Sequence, residues 1–236
     1  QKKCTGWVRF VAIVTAVLFF LLSYSGIIRL LKLPTVPLVV QSIHLNQNED
    51  VRAWRTSVVA VTADDRRGTG VILSPGNHIL TNAHIIEDAS VVTIQFGSGM
   101  PSITTSEFAL DQNLDLCLIN VQTNDNGLAL SETPNLTESM SLYMIGNPLG
   151  FFQITSQVTY MGTVRDTGWP EPLIAVKGPI YKGNSGSPVI QADGEVIGLL
   201  FATTDIQMAE SKVTAGLVIP ASTLSAFLES VTSRSE

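Results

Sequence analysis

The sequence predicts an all-β domain of short antiparallel strands, preceded by one N-terminal membrane-spanning helix. Three features carry that expectation. An uncharged apolar run extends from Phe10 to Ile28. A series of short apolar segments divided by turn residues runs from Ser57 to Ile219. A helical spacing returns only near the C-terminus.

The first segment spans 19 residues, about the length of one bilayer-crossing helix. Trp7 and Tyr24 are placed for the interfaces, with Lys2, Lys3 and Arg9 before the run and Arg29 and Lys32 after it. That slight basic excess favours a cytoplasmic N-terminus. We read residues 1–32 as a retained anchor. The competing reading is a cleavable leader, since Ser23-Tyr24-Ser25 offers small residues before Gly26. Residues 33–50 read as a linker, because Pro34 and Pro37 oppose helix and Asn46-Gln47-Asn48 is polar. Glu49 to Arg55 reads as a short helical lead-in, and residues 51–236 as one folded domain.

Within that domain the strand-like runs are Ser57–Thr62, Gly70–Leu73, His78–Asn82, Val91–Phe96, Leu114–Val121 and Ser141–Ile145. They continue with Gln157–Val164, Leu173–Val176, Pro188–Gln191, Val196–Phe201 and Gly216–Ile219. Pro75-Gly76-Asn77, Asn147-Pro148 and Asp193-Gly194 mark turns. Short strands at such spacing indicate an antiparallel sandwich or barrel. Only Ala221–Val231 has helical spacing, through Leu224, Phe227, Leu228 and Val231.

Composition narrows the partners. Hydrophobic residues make up 45% of the chain and charged residues 14%, which supports a packed core and argues against disorder. The first 32 positions hold five basic residues and no acid. Against a total of -6 this leaves -11 on the remainder, a poor match for nucleic-acid phosphates. Cys117 lies in an apolar strand and reads as a small buried hydrophobe, while Cys4, beside the apolar run, is a candidate lipidation site. A disulfide between them is not expected. Neither a metal cluster nor a cofactor motif is visible, and Asp64-Asp65 reads as a solvated turn.

The chemistry gathers on three residues. A serine hydroxyl is a weak nucleophile at neutral pH and needs a base, an orienting group and N–H donors for the developing oxyanion. Gly183-Asn184-Ser185-Gly186 suits Ser185, because a glycine two positions earlier lets two N–H groups point together. Of three histidines, His84 ends a strand-like run, whereas His44 lies in the linker and His78 beside a turn. Asp115 opens the apolar strand Asp115-Leu116-Cys117-Leu118-Ile119, where an acid is rarely placed without a partner. Asp111 competes, but it sits in the polar run Asp111-Gln112-Asn113. His84, Asp115 and Ser185 follow the order of chymotrypsin-type proteases rather than that of α/β hydrolases or subtilisin.

Longer blocks extend this. Gly68-Thr69-Gly70-Val71-Ile72-Leu73 with Leu80-Thr81-Asn82-Ala83-His84, Asn113 to Ile119, Met144-Ile145-Gly146-Asn147-Pro148-Leu149-Gly150 and Gly183 to Pro188 together resemble the HtrA/Deg branch of trypsin-like serine proteases. Val213 to Pro220 is similar to the family's strand before its final helix, and the resemblance covers about residues 51–229. It implies two perpendicular six-stranded β-barrels with the site in the cleft between them. It implies His84 as general base, Asp115 as orienter, Ser185 as nucleophile and the N–H groups of Gly183 and Ser185 as oxyanion donors. It further implies a substrate pocket lined by Pro179, Ile180, Tyr181, Lys182, Phe201, Ala202 and Thr203, with a homotrimer as the candidate assembly. No acid lies in that set, so cleavage after small or medium apolar residues is expected.

The chain departs from the family in two places. Ser187 stands where the family has a second glycine, and Tyr181-Lys182 precedes Gly183 where Asn followed by Pro or Arg is usual. A PDZ domain is not expected to follow, nor the peptide-tail sensing such a domain provides. The leading expectation is a membrane-anchored serine endopeptidase acting on proteins or peptides on the extracytoplasmic side. The alternative is a protease fold used for binding or scaffolding within a membrane complex. A viral polyprotease with an adjoining anchor is a third reading.

Overall fold

The computed structural model describes Thr15 and residues 35–74, 78–97, 101–121, 127–165, 169, 171–207 and 212–233. The predicted span of residues 10–28 lies, except for Thr15, outside them. No helix among the described residues is long and apolar enough to cross a membrane. The chain divides into two compact units, residues 1–40 and 41–236.

The stretch read as a proline-broken linker instead carries helix α1, Thr35–Leu45. Pro37 is its third residue. In a first turn the N–H groups have no intrahelical acceptor, so proline costs nothing there. Within the second unit, Ser42 Oγ accepts from Thr155 N at 3.0 Å and Asn46 Oδ1 accepts from Thr155 Oγ1 at 2.8 Å. Helix α2, Glu49–Thr56, matches the expected lead-in. Asn48 Oδ1 caps it by accepting from Asp50 N at 2.7 Å, and Glu49 and Asp50 place negative charge at the positive end of its dipole.

All eleven expected strand runs are strands. The first seven strands are β1 Val58–Ala63, β2 Arg66–Leu73, β3 His78–Thr81, β4 Val92–Gln95, β5 Ile103–Thr105, β6 Phe108–Asp111 and β7 Leu116–Asn120. They form one antiparallel sheet in the order β5-β4-β1-β2-β3-β7-β6. The expectation of a six-stranded barrel is therefore corrected for this half. The sheet has seven strands, and its edges β5 and β6 are not laddered together. Only Ser106 and Glu107 separate those two edge strands in sequence, so chain continuity curls the sheet on itself. Neither edge strand was anticipated. Both are short and at most half-buried, so they lack an apolar signature.

The second half fulfils the barrel expectation. Strands β8 Ser141–Gly146, β9 Ile154–Val164, β10 Leu173–Lys177, β11 Pro188–Ile190, β12 Val196–Gln207 and β13 Lys212–Pro220 close in the order β10-β13-β12-β11-β8-β9. The β12–β13 ladder continues out to Gln207↔Lys212. This is beyond the predicted end at Phe201, because Ala202–Gln207 alternates half-buried and exposed residues instead of running apolar. Helix α4, Ala221–Thr232, closes the described fold and buries Leu224 and Phe227.

Three apolar clusters hold this unit together. One fills the seven-stranded sheet through Val61, Ile79, Ile94 and Ile119. One fills the barrel through Leu142, Met144, Val176 and Val218. The third joins them, packing Val58, Val71 and Leu80 of the sheet with Ile145, Ile190 and Leu199 of the barrel and Leu224 of α4. Burial of roughly 25 cal/mol per Å² of apolar surface makes such a shared core the main force fixing one half against the other.

Candidate active site

His84 is the second residue of a single helical turn, α3, Ala83–Ile86. The turn is fastened to the loop between β6 and β7. Asn82 Nδ2 and Ala83 N donate to the Asp115 carbonyl at 3.0 and 3.1 Å. The Asp115 carboxylate then grips the histidine twice. Its Oδ1 accepts from His84 N at 2.9 Å and its Oδ2 lies 2.7 Å from His84 Nδ1. An ionised carboxylate only accepts hydrogen bonds. The proton therefore sits on Nδ1, and Nε2 carries the free lone pair a base requires.

Asp115 adopts a left-handed backbone, φ 48°, a conformation Asp tolerates better than most residues. Its side chain is only 18% exposed. Asp111, the competing acid, is occupied elsewhere. Its Oδ1 accepts from Asn113 N at 2.9 Å and Leu114 N at 3.0 Å, shaping the turn that delivers Asp115. Of the other histidines, His44 lies on α1 and His78 lines a separate cleft with Glu107 and Val231.

Ser185 sits in the loop between β10 and β11. Among the described residues its hydroxyl forms no hydrogen bond, and neither Gly183 N nor Ser185 N has an acceptor. The neighbouring carbonyls explain why both amides stay free. Lys182 O accepts from Leu149 N at 2.8 Å, and Asn184 O accepts from Ser187 N at 2.9 Å. In a trans peptide the N–H points opposite its carbonyl, so each bond turns the following amide away from the protein. Gly183 takes φ 99°, and a Cβ on it would meet Asn147 O at 2.4 Å. The turn therefore needs glycine both for conformation and for space.

The first sheet holds this loop by one residue. Thr69, fully buried in β2, has every hydrogen-bonding group engaged. Its N–H donates to Ser185 O at 2.8 Å, and its hydroxyl donates to Gly183 O at 2.9 Å. The same hydroxyl accepts from Asn147 N at 3.0 Å and Nδ2 at 3.2 Å, while the Thr69 carbonyl accepts from Thr81 Oγ1 at 2.6 Å. Asn147 in turn donates to Val59 O and accepts from Gln153 N, both at 2.9 Å. Thr69, Asn147 and Leu149 were visible in the sequence only as letters of two blocks. Nothing local marks them, because most of their partners are distant in sequence: Gly183 lies 114 residues from Thr69, and Asn147 lies 78 from Thr69 and 88 from Val59. Gly186 is equally constrained: a Cβ would meet Thr69 O at 1.9 Å. Ser187, the departure from the family pattern, is fully buried, and its Oγ has no hydrogen-bond partner among the described residues.

A cleft of about 320 Å³ opens beside Ser185, lined by Ile180, Tyr181, Lys182, Leu200, Phe201, Ala202 and Thr203. Six of the seven expected pocket residues are there. Pro179 is not among the lining residues, and Leu200 replaces it. Gly216 lets β13 approach, since a Cβ on it would meet Ile180 Cδ1 at 2.4 Å and Leu200 Cδ1 at 2.7 Å. The wall carries no acid.

A curled sheet and a closed barrel, with a histidine–aspartate pair on one and a serine loop on the other, define the trypsin-like architecture. The family profile of the trypsin-like peptidase domain matches residues 68–199, more than half of the chain, and the chain belongs to that family. It is 30% identical over 138 residues to a probable periplasmic serine endoprotease, DegP-like, of Pseudomonas fulva, across 56% of this chain and 28% of that protein. It is 32% identical over 144 residues to the protein so described in Chlamydia muridarum, across 58% and 28%. The matched region thus spans under a third of these relatives' length. The fold is also that of Rv3671c from M. tuberculosis in an inactive, serine-to-alanine form, with a TM-score of 0.68 at 21% identity over 80% of this chain and 93% of that one. The HtrA-type protease AlgW, solved with a tripeptide, gives 0.67 at 22% identity over 79% and 64%.

Proposed function

We propose that the chain is a serine endopeptidase that cleaves protein substrates through an acyl-enzyme on Ser185. The observation that carries this reading is the His84–Asp115 pair, whose 2.7 Å bond leaves Nε2 free for proton transfer. Ser185 Oγ attacks the scissile carbonyl as Nε2 takes the hydroxyl proton. The carbonyl oxygen, now negative, accepts from the N–H groups of Gly183 and Ser185. Collapse breaks the C–N bond, and the imidazolium returns its proton to the departing amine. Water then repeats the sequence on the ester and releases the acid.

The cleft lined by Ile180, Phe201 and Ala202 suits a small or medium apolar side chain on the acyl half, with no carboxylate to attract Arg or Lys. We assign residues 51–236 to the protease domain and residues 10–28 to a membrane tether with that domain on the extracytoplasmic side. The periplasmic description of the DegP-like relatives supports that side. The unbonded Ser185 hydroxyl favours one second reading, a fold held inactive or used for binding, although hydrogen bonds at such sites are often loose without substrate.

A fluorophosphonate probe separates the two. Labelling of the native protein but not of Ser185→Ala is expected. Absence of labelling in both moves the assignment to binding. In a peptide library, cleavage after Arg or Lys at rates comparable to Ala or Val would overturn the pocket reading.

A further inference from the structure

A second concavity adjoins the serine loop on the side of the seven-stranded sheet. It has a volume of about 180 Å³, with Thr62, Arg67, Gly68 and Gln95 from the sheet and Phe151 and Phe152 from the loop after β8 among its walls. It shares no lining residue with the cleft beside Ser185. Gly68 sets it against the backbone of the serine loop, since a Cβ there would lie 3.0 Å from the Ser185 carbonyl oxygen. The opposite lip belongs to the loop whose Leu149 N–H holds the Lys182 carbonyl.

Direction follows from the chemistry. The acyl half of a substrate occupies the barrel's own cleft, built from residues 180–203. The departing amine must meet His84, which the sheet carries. The leaving half therefore exits over the sheet, where this concavity lies.

Charge gives the selectivity. Successive strand residues point to opposite faces. Arg66 is consumed on one face: its Nη1 donates to the His84 and Glu87 carbonyls, both at 2.9 Å, and its guanidinium pairs with Glu87 at 3.6 Å and Asp88 at 3.7 Å. Arg67 is exposed at the concavity and has no ion pair among the described residues. A guanidinium without a carboxylate, in a domain with an excess of acids, is set against an aromatic wall whose Phe151 is 41% exposed. Arg matches a carboxylate in a two-pronged geometry.

We propose that this concavity binds the leaving-group half of the peptide and that Arg67 selects a carboxylate there, either an Asp or Glu side chain or the free C-terminus of a short leaving segment. The assignment rests on the peptidase reading above. It makes Arg67 a specificity-determining residue and Phe151 its apolar support.

The test uses peptides with one fixed acyl half. The leaving half carries Glu, Gln or Lys in its first two positions, each with a free or an amidated C-terminus. Acidic peptides are expected to exceed their Lys counterparts in kcat/KM by about three- to tenfold, and Arg67→Glu is expected to invert that order. An advantage that follows Glu identifies the side chain, and one that follows the free terminus identifies the chain end. A flat profile in the native protein, or an acidic preference that survives Arg67→Glu, overturns the proposal. The same peptides are titrated against Ser185→Ala by fluorescence anisotropy. Should fluorophosphonate labelling fail while acid-selective binding persists and inverts in the Ser185→Ala, Arg67→Glu double variant, the peptidase reading falls and the carboxylate site stands. Labelling without any acid selectivity has the opposite meaning.

Discussion

The Thr69 hydroxyl donates to the Gly183 carbonyl at 2.9 Å, so a buried strand residue of the sheet holds the turn of the barrel that carries Ser185. That hydroxyl has one proton and two lone pairs, and Gly183 and Asn147 use all three. Thr69→Val keeps the shape but strands a buried carbonyl and a buried amide. We expect a loss of about 1–3 kcal/mol in urea unfolding, together with a fall in kcat/KM larger than that of Thr69→Ser, which keeps the hydroxyl. Equal effects of Val and Ser would show that the methyl group, and not the clasp, matters.

Asp115 offers a clean substitution. Asn also tolerates a positive φ, so Asp115→Asn leaves the turn in place. Its amide oxygen can still accept from His84 N, but its NH2 then faces Nδ1 and forces the proton onto Nε2. The imidazole can no longer act as a base. Turnover is expected to drop by roughly 10³–10⁴-fold with little change in melting temperature. Retention of near-native kcat by a folded Asp115→Asn protein would remove Asp115 from the site.

How much was legible depended on the range of the interactions. Strands with a continuous apolar run, such as Leu116–Asn120, announced themselves; His84 and Asp115 stood out as polar residues at the ends of such runs, and Ser185 through the glycines on either side of it. Helix α1 was misread because Pro37 was weighed as a breaker without its position in the first turn. Strands β5 and β6 were missed because Ile103–Thr105 and Phe108–Asp111 bury too little to carry a pattern. The Thr69–Asn147 clasp stayed hidden for another reason. Thr and Asn are ordinary residues, and only folding brings their partners from β1, β3 and the serine loop to within 3.2 Å.

Cys117 predicts an alkaline weakness. It is fully buried in β7, and burial pushes its thiol up to about 12 from an ordinary value near 9.0. A raised value in the folded state means that the native thiol holds its proton while the unfolded chain releases it. The contribution is intact below about pH 9 and is lost progressively as pH rises toward 12, by about 1.4 kcal/mol per pH unit. Cys117→Ala removes this source of slope. Chemical unfolding at pH 8 and pH 11 is expected to show a smaller loss for the variant than for the native protein. Parallel losses in the two proteins would mean that the thiol is not sheltered as its burial indicates.

Gly183→Ala asks whether the turn proposed to bind the oxyanion can give. The new Cβ would sit 2.4 Å from Asn147 O, and Asn147 is itself pinned by Thr69, Val59 and Gln153. Neither side can retreat without opening the clasp, so the turn must rotate and carry the Gly183 N–H off its aim. Loss of one oxyanion donor lowers kcat by about 10²–10³-fold. Gly162→Ala supplies the comparison. Gly162 also has a positive φ, 113°, but a Cβ there meets nothing within 4 Å. It tests conformational strain without collision, at a cost of about 1 kcal/mol in stability and without that collapse in turnover. A boronic acid that forms a tetrahedral adduct on Ser185 reads the difference directly, since its oxyanion needs the same two N–H groups. Its affinity should fall with kcat in Gly183→Ala and stay near native in Gly162→Ala. If both variants bind it equally well, the Gly183 amide is not an oxyanion donor.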